Sequence, residues 1–212
     1  MRSSADESSR NMILPKRNSL VLLVLAAVAG CGPLVQIGGN VPAPEALLTL
    51  RADLPAATTA AKTGATLAVA LPTVPGVLQT LRLPVVTANT EVQYLKDGSW
   101  IEQPAKLFQR LLVDVVGTKA GVIALDGRNF DVAPARKLTG QLLEFGLDVR
   151  SSPVVRVRYD ATLTTNDGKL IGARTFTASQ PLSAETPSAA ATALNAAANT
   201  VASDVAAWVA AN

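Results

Sequence analysis

The sequence predicts a single α+β domain in which a mainly antiparallel or mixed sheet is packed by two helices. Two stretches that alternate apolar and polar residues, 141–150 and 155–163, predict strands with one buried face. Apolar residues at three- and four-residue spacing predict helices at about 104–116 and about 187–210. Of the 212 residues, 49% are hydrophobic and 17% are charged. A chain of this size and composition can bury a sizeable core, which excludes disorder over most of its length.

The first thirty residues have the plan of a secretory signal peptide. Lys16 and Arg17 form a positive flank, and the apolar run from Leu20 to Ala27 is too short to cross a membrane as a permanent helix. The alternative is a short buried helix, which does not require a positive flank followed by an apolar run. Met12 stands just before the flank and is a candidate start beside Met1.

The sequence Val28-Ala29-Gly30-Cys31 resembles a bacterial lipobox. Small residues before the cut fit the cleft of the lipoprotein signal peptidase, and the cysteine thiol is the atom that is lipidated. Cys31 is the only cysteine of the chain. We therefore predict cleavage between Gly30 and Cys31, with palmitate among the acyl chains that anchor residues 31–212 to a membrane. Gly32, in place of an aspartate, favours the periplasmic face of the outer membrane over the inner membrane.

The composition excludes several classes of function. The chain has no histidine and one cysteine, which rules out histidine-dependent catalysis, histidine-rich metal sites and an intrachain disulfide. Aromatic residues make up only 4%, which argues against a nucleic-acid surface. Residues 1–30 contribute 4 − 2 = +2 of the net charge of +3, so the remaining chain is almost neutral. No cofactor or metal is expected, and without a Walker motif any ATPase would be another chain.

The first half of the domain is predicted from short apolar runs and one clear helix pattern. Residues 31–45, rich in Gly and Pro, predict a flexible linker, and 46–212 show no repeat or boundary. Strands are predicted at four short runs: 47–51, 66–71, 85–86 and 91–94. Lys96-Asp97-Gly98-Ser99 has the composition of a turn.

The first helix is predicted to begin at Pro104 and to end at Gly117 as its C-cap. Its polar side is predicted from Lys106, Gln109 and other polar residues. Its apolar stripe is predicted to lie in the core, because the polar side is not basic enough for a membrane surface. The stripe consists of Leu107, Phe108, Leu111, Leu112, Val115 and Val116.

The second half is predicted to be a long hairpin followed by an alanine-rich helix. Leu143 and Phe145 are expected on the buried face of the first strand, and Asn166-Asp167-Gly168-Lys169 predicts the turn into 170–179. Arg174 then falls on the side of Phe176, so either its stem reaches past the core or the register differs. In the last helix Leu194, Val201 and Trp208 stand seven residues apart, which argues against a disordered alanine-rich tail.

Candidate partner-binding residues crowd between Pro72 and Pro84. They are Val74, Val77, Leu78, Leu81 and Leu83. We expect an apolar contact surface there and at the edge strands, and the alternative that these residues complete the core has at least equal support. Trp100 is predicted to be mainly structural, closing the start of the first helix against the sheet. The competing interpretation makes Trp100 an exposed hot spot for a partner.

The order of these features resembles that of the ABC-type transport auxiliary lipoprotein family, which includes the lipoprotein of the paraquat-inducible operon. The resemblance covers roughly residues 46–209. Its most specific stretch runs from Tyr94 to Leu112, where Trp100, Pro104 and Leu107 stand as in the family pattern.

The resemblance implies a non-enzymatic, lipid-anchored periplasmic accessory of an envelope transporter. In such systems an ABC ATPase and permease work with an MCE-domain protein to move phospholipid or another hydrophobic cargo. The family implies no catalytic residues, and a homo-oligomer is left open. Two other functions also stay open. One is an outer-membrane assembly or pilot lipoprotein for an unrelated complex. The other is a Ser-Lys hydrolase, although residues 46–212 contain neither Gly-x-Ser-x-Gly nor Ser-x-x-Lys.

Overall fold

The computed structural model describes residues 46–54, 64–127 and 133–212. The predicted signal peptide and linker, residues 1–45, lie outside the described residues. The described part forms an α+β domain with one mixed sheet, as predicted. Its helices are α1 (Pro104–Lys119) and α2 (Pro187–Ala210). Its strands are β1 (Ala46–Leu48), β2 (Thr66–Val69), β3 (Arg82–Ala88), β4 (Glu91–Trp100), β5 (Ile123–Leu125), β6 (Arg136–Asp148), β7 (Val154–Thr165) and β8 (Leu170–Pro181). No helix among these residues is long and apolar enough to span a membrane.

Strand β6 organises the sheet because it pairs with three other strands. One edge runs antiparallel to β7, which in turn runs antiparallel to β8. The other edge pairs in parallel with two strands placed end to end, β2 near the start of β6 and β3 near its end. Beyond β2 the sheet continues in parallel with β5. Beyond β3 it continues with antiparallel β4, and then with β1 parallel to β4.

The two helices cover the same face of the sheet. Phe108 of α1 makes an edge contact with Tyr159 of β7, and Trp208 of α2 contacts Phe176 of β8. Tyr159 and Phe176 are register partners, so they share a face. The alternation predicted for β7 is confirmed: Val155, Val157, Tyr159, Ala161 and Leu163 are buried. The ring of Tyr159 lies where an added Cβ on Gly140 would be 2.6 Å from it, so this glycine permits the close approach.

In β6 the predicted core alternation is wrong at one position. The register with β7 shifts between Leu142 and Glu144, so Leu143 is the extra residue of a β-bulge. Leu142 is buried opposite Tyr159, in the place predicted for Leu143. The bulge changes the face of the later residues, which is why Phe145 still points into the core.

Helix α1 is longer than predicted. It continues to Lys119, and Gly117 lies buried inside it instead of capping it. After the helix, the chain takes a left-handed conformation at Gly121, where φ is 65°. The burial of α1 residues outweighs the cost of an internal glycine, about 1 kcal/mol relative to alanine. Gln109, predicted on the polar side, is also buried, and its Nε2 donates to Val69 O at 2.9 Å and to Asp126 O at 3.0 Å.

The turn predicted at residues 96–99 is wrong, because these residues belong to β4. Asp97 nevertheless has the positive φ, 58°, that turn residues adopt. The register between β3 and β4 jumps there, so residues 95–98 of β4 stand opposite Leu83 alone. β1 continues the ladder by pairing Ala46 with Gly98. Turn-forming residues inside β4 have therefore produced an irregularity in the strand pairing instead of a reversal of the chain direction.

The hairpin between β7 and β8 is confirmed, with residues 166–169 between the two strands. Arg174 and Phe176 share a face, and the Arg174 guanidinium lies 5.2 Å from the centre of the Phe176 ring. Both predicted alternatives hold: Arg174 is exposed, so its stem reaches past the core, and the register between β7 and β8 shifts between Leu163 and Thr164. The helix predicted at 187–210 is confirmed by α2. Strand β5 and the 3₁₀ turn Gly76–Leu78 were not predicted.

Candidate docking site on the open face of the sheet

The structure divides the predicted partner-binding residues between core and surface. Three are buried: Leu78, Leu83 and Trp100. Val74 and Val77 are half-buried and pack against the core. Leu81 has 43% of its surface exposed and is the most accessible of the set. Contact with a partner stays a prediction for all of them. Gly30 and Cys31 lie outside the described residues.

Trp100 lies in the core at the junction of β4 and α1. Its exposed fraction is 0%, and its ring centroid is 5.3 Å from that of Phe145 in β6. Its backbone N–H donates to Leu81 O at 2.7 Å. The indole is therefore buried against β6, in agreement with the structural role predicted for it.

The sheet face away from the helices, which we call the open face, bears an ion cluster around Asp148 of β6. The Asp148 carboxylate accepts hydrogen bonds from Arg150 Nε at 2.9 Å and Nη2 at 2.7 Å, and pairs with Arg156 Nε at 3.0 Å. The Arg150 hydrogen bonds hold the pKa of Asp148 far below its usual range, against the opposing effect of burial. Arg150 Nη1 also donates to Asn89 Oδ1 at 2.9 Å, which ties the cluster to the turn between β3 and β4.

A second ion pair lies next to the first cluster. Arg158 donates to both carboxylate oxygens of Asp160 at 3.3 Å, and it stands opposite Glu144 in register. The printed ion pair here is thus one guanidinium with one carboxylate, with Glu144 nearby, whereas two guanidinium groups contact one carboxylate at Asp148.

An apolar pocket of about 140 Å³ opens beside the positive cluster, and we call it the open-face pocket. Its apolar lining comes from the 3₁₀ turn, β3, β4 and β6: Val77, Leu78, Pro84, Val86, Val92, Leu143, Phe145, Gly146 and Leu147. Glu144, Asp148, Arg150 and Arg156 form its charged rim. Val92 is 48% exposed, so the pocket is accessible from the surface.

Gly146 and Leu143 explain why this pocket exists. A Cβ on Gly146 would lie 2.5 Å from Pro84 O, so the glycine allows β3 to run close along β6. Leu143, the bulge residue of β6, lines the same pocket. Sequence reasoning found Val77 and Leu78 but missed the contributions of β3, β4 and β6. Two features of the sequence could have indicated these contributions: Gly146, and the extra leucine at position 143 in an otherwise alternating strand.

The described residues offer an apolar depression with fixed charges rather than a metal site. Among them, no three His, Cys, Asp or Glu side chains are grouped so as to hold a metal ion. The Asp148 carboxylate is held by two arginines, which fixes their guanidinium groups at the pocket rim. The pocket can bind one apolar group, and the charged side chains of its rim can bind a polar group next to it.

Comparison with known proteins assigns this domain to a family. The family model described as "ABC-type transport auxiliary lipoprotein component" matches residues 48–206. A crystal structure of a Xanthomonas campestris protein of the family model DUF330 is 20% identical, covering 78% of this chain and 95% of that chain with a TM-score of 0.68. A crystal structure of an uncharacterized protein is 14% identical, covering 68% and 92%, with a TM-score of 0.60. These two likenesses concern the fold. No curated protein matches the chain.

Proposed function

Because the chain belongs to the family of ABC-type transport auxiliary lipoprotein components, we propose that it is a non-enzymatic, lipid-anchored accessory that binds an MCE-domain protein. Through that protein it would serve an ABC permease and ATPase. The cargo we propose is phospholipid or another hydrophobic molecule. The observation that supports this most strongly is the family match, which extends from β1 into the last turns of α2.

The anchor gives the proposed accessory its physical role. With acyl chains on Cys31 and a linker of residues 31–45, the domain is confined to a thin layer next to the membrane. Confinement raises the effective concentration of the domain around a partner in the same layer, without any new contact. We place the anchor at the periplasmic face of the outer membrane, because Gly32 follows the cysteine in the sequence.

A binding role is supported by the open face. Two helices cover the other face of the sheet, while this one presents the open-face pocket, the Asp148 cluster and the neighbouring ion pair. Apolar centres with polar rims are typical of protein contact surfaces. The Asp148 cluster also holds the rim in place before a partner arrives, which reduces the entropy lost on binding.

Affinity purification of the full lipidated chain from detergent-solubilised envelopes tests this function. We expect the MCE-domain protein, the permease and the ATPase to co-purify, and deletion of the gene to impair the transport phenotype. The proposal is wrong if no such complex is recovered at low or moderate salt and the deletion leaves transport intact. Recovery of an unrelated envelope machine instead would identify a pilot or assembly lipoprotein.

A further inference from the structure

We propose that the open-face pocket binds one apolar side chain of the MCE-domain partner, with a partner carboxylate beside it on Arg156. This inference rests on the proposed function and specifies the chemistry of its contact. It is supported by the size of the pocket, the exposure of Val92 and the position of Arg156 at the rim.

The size of the pocket selects a side chain over a lipid chain. An apolar cavity of about 150 Å³ accommodates a molecule of the size of benzene. The open-face pocket, at about 140 Å³, therefore has room for one leucine or phenylalanine side chain. A long acyl chain needs several times this volume, so a membrane lipid would leave most of its chain outside.

The part of the pocket rim that contains Arg156 can receive a carboxylate. Asp148 is only 7% exposed at its side chain, whereas the side chains of Arg150 and Arg156 are 40% and 51% exposed. The accessible charge of this cluster is therefore positive. Glu144, the other acidic residue of the rim, is exposed and stands opposite Arg158 in register, whereas Arg156 stands opposite Gly146. The positive charge that a carboxylate can reach is therefore the one at Arg156.

Arg156 is the residue best placed to receive the partner carboxylate. Within the described part of the chain its ion pair to Asp148 is made through Nε, which leaves the two terminal nitrogens of the guanidinium. An arginine fork binds a carboxylate with two parallel hydrogen bonds, a strong and directional contact. The ion pair to Asp148 holds that fork at the rim of the pocket.

Two pairs of matched variants test the inference, with the purified MCE-domain protein as the probe and its dissociation constant as the readout. Val92→Asp places a charge in the pocket, and Leu170→Asp makes the same change at an exposed residue of β8. Arg156→Gln removes the proposed fork, and Arg174→Gln removes an exposed arginine over Phe176. We expect about tenfold or greater weakening for Val92→Asp and Arg156→Gln, as for hot-spot residues, and near-native binding for both controls.

Photo-crosslinking keeps the test valid if Val92→Asp unfolds the domain. A photoreactive phenylalanine at position 92 should crosslink to the MCE-domain protein, and the same residue at position 170 should not. Equal crosslinking at both positions, or equal weakening by Val92→Asp and Leu170→Asp, overturns the inference.

Two further outcomes separate this inference from the proposed function. If the wild-type chain binds no MCE-domain protein, the proposed function fails. If it binds and neither Val92→Asp nor Arg156→Gln weakens the complex, the function stands and the pocket inference is wrong. A third outcome is that Val92→Asp or Arg156→Gln abolishes binding to phosphatidylethanolamine–phosphatidylglycerol vesicles and leaves binding to the MCE-domain protein unchanged. The pocket would then be a lipid contact, which also overturns the inference.

Discussion

Asn199 of α2 holds the backbone of Arg51, the residue that follows β1 by three positions. Its Nδ2 donates to Arg51 O at 2.8 Å, while its Oδ1 accepts from the N–H of Asp53 at 2.7 Å. One turn earlier, Asn195 Oδ1 accepts from the N–H of Arg51 at 2.8 Å. The chain that leads from the predicted linker into the domain is thus bound along α2 by two amide side chains, and we call residues 49–54 the strap.

Removing the Asn199 amide should release the strap. Asn199→Ala leaves the Arg51 carbonyl and the Asp53 N–H without these partners, so we expect a loss of about 1–3 kcal/mol in the free energy of unfolding. Hydrogen exchange at residues 51–53 should accelerate. Thr200→Ala is the control, because that exposed hydroxyl donates to Ala196 O of its own helix. Unchanged exchange in the Asn199 variant would show that the strap is held by its apolar contacts instead.

The predicted lipid anchor is tested at Cys31. Cys31→Ser should accumulate as an unprocessed precursor that incorporates no labelled palmitate, because serine has no thiol to acylate. The measurement is metabolic labelling together with the mass of the mature chain. Ser19→Ala, a change inside the predicted signal peptide, serves as the control and should be labelled like the wild type. Equal labelling of the Cys31 variant would contradict the prediction.

Trp100 should matter to stability more than to binding. Trp100→Ala removes a fully buried ring, and we expect a loss of about 3–5 kcal/mol in the free energy of unfolding. Trp208→Ala should cost less, because Trp208 of α2 is only half-buried where it packs against Phe176 of the edge strand β8. Thermal and urea unfolding measure both variants. A Trp100 variant of native stability that no longer binds the MCE-domain protein would identify an exposed hot spot.

The Asp148 cluster should make stability depend on acid pH. Because arginine hydrogen bonds lower the pKa of Asp148 in the folded state, its contribution is present above the unfolded pKa of about 3.9 and is lost as the pH falls through the folded pKa. Asp148→Asn should therefore cost about 2 kcal/mol at neutral pH. The difference from the wild type should shrink steadily below about pH 4.

Asp160→Asn provides the comparison for that pH series. Its carboxylate also has a lowered pKa, caused mainly by the Arg158 hydrogen bond, but the pair is more exposed. Solvent screening should make its loss smaller, within about 1 kcal/mol. A constant difference between Asp148→Asn and the wild type from pH 7 to pH 2 would contradict the linkage.

The sequence alone determined the α+β class, the bounds of α2 and the buried face of β7, because each follows from a local repeat. Leu194 and Val201 mark one helical stripe, and the alternation around Tyr159 marks one strand face. Such periodicities are properties of neighbouring residues, and burial of the resulting faces then needs no particular partner.

Only the tertiary structure decided the features that depend on distant partners. Gln109 and Asn199 are polar residues by pattern, and they are buried because Val69 O and Arg51 O lie within hydrogen-bond distance. The open-face pocket likewise depends on β3 and β4 meeting β6 at Gly146. No local period encodes which carbonyl or strand will stand opposite a residue. Buried polar groups and pockets therefore appear only once the chain has brought its remote segments together.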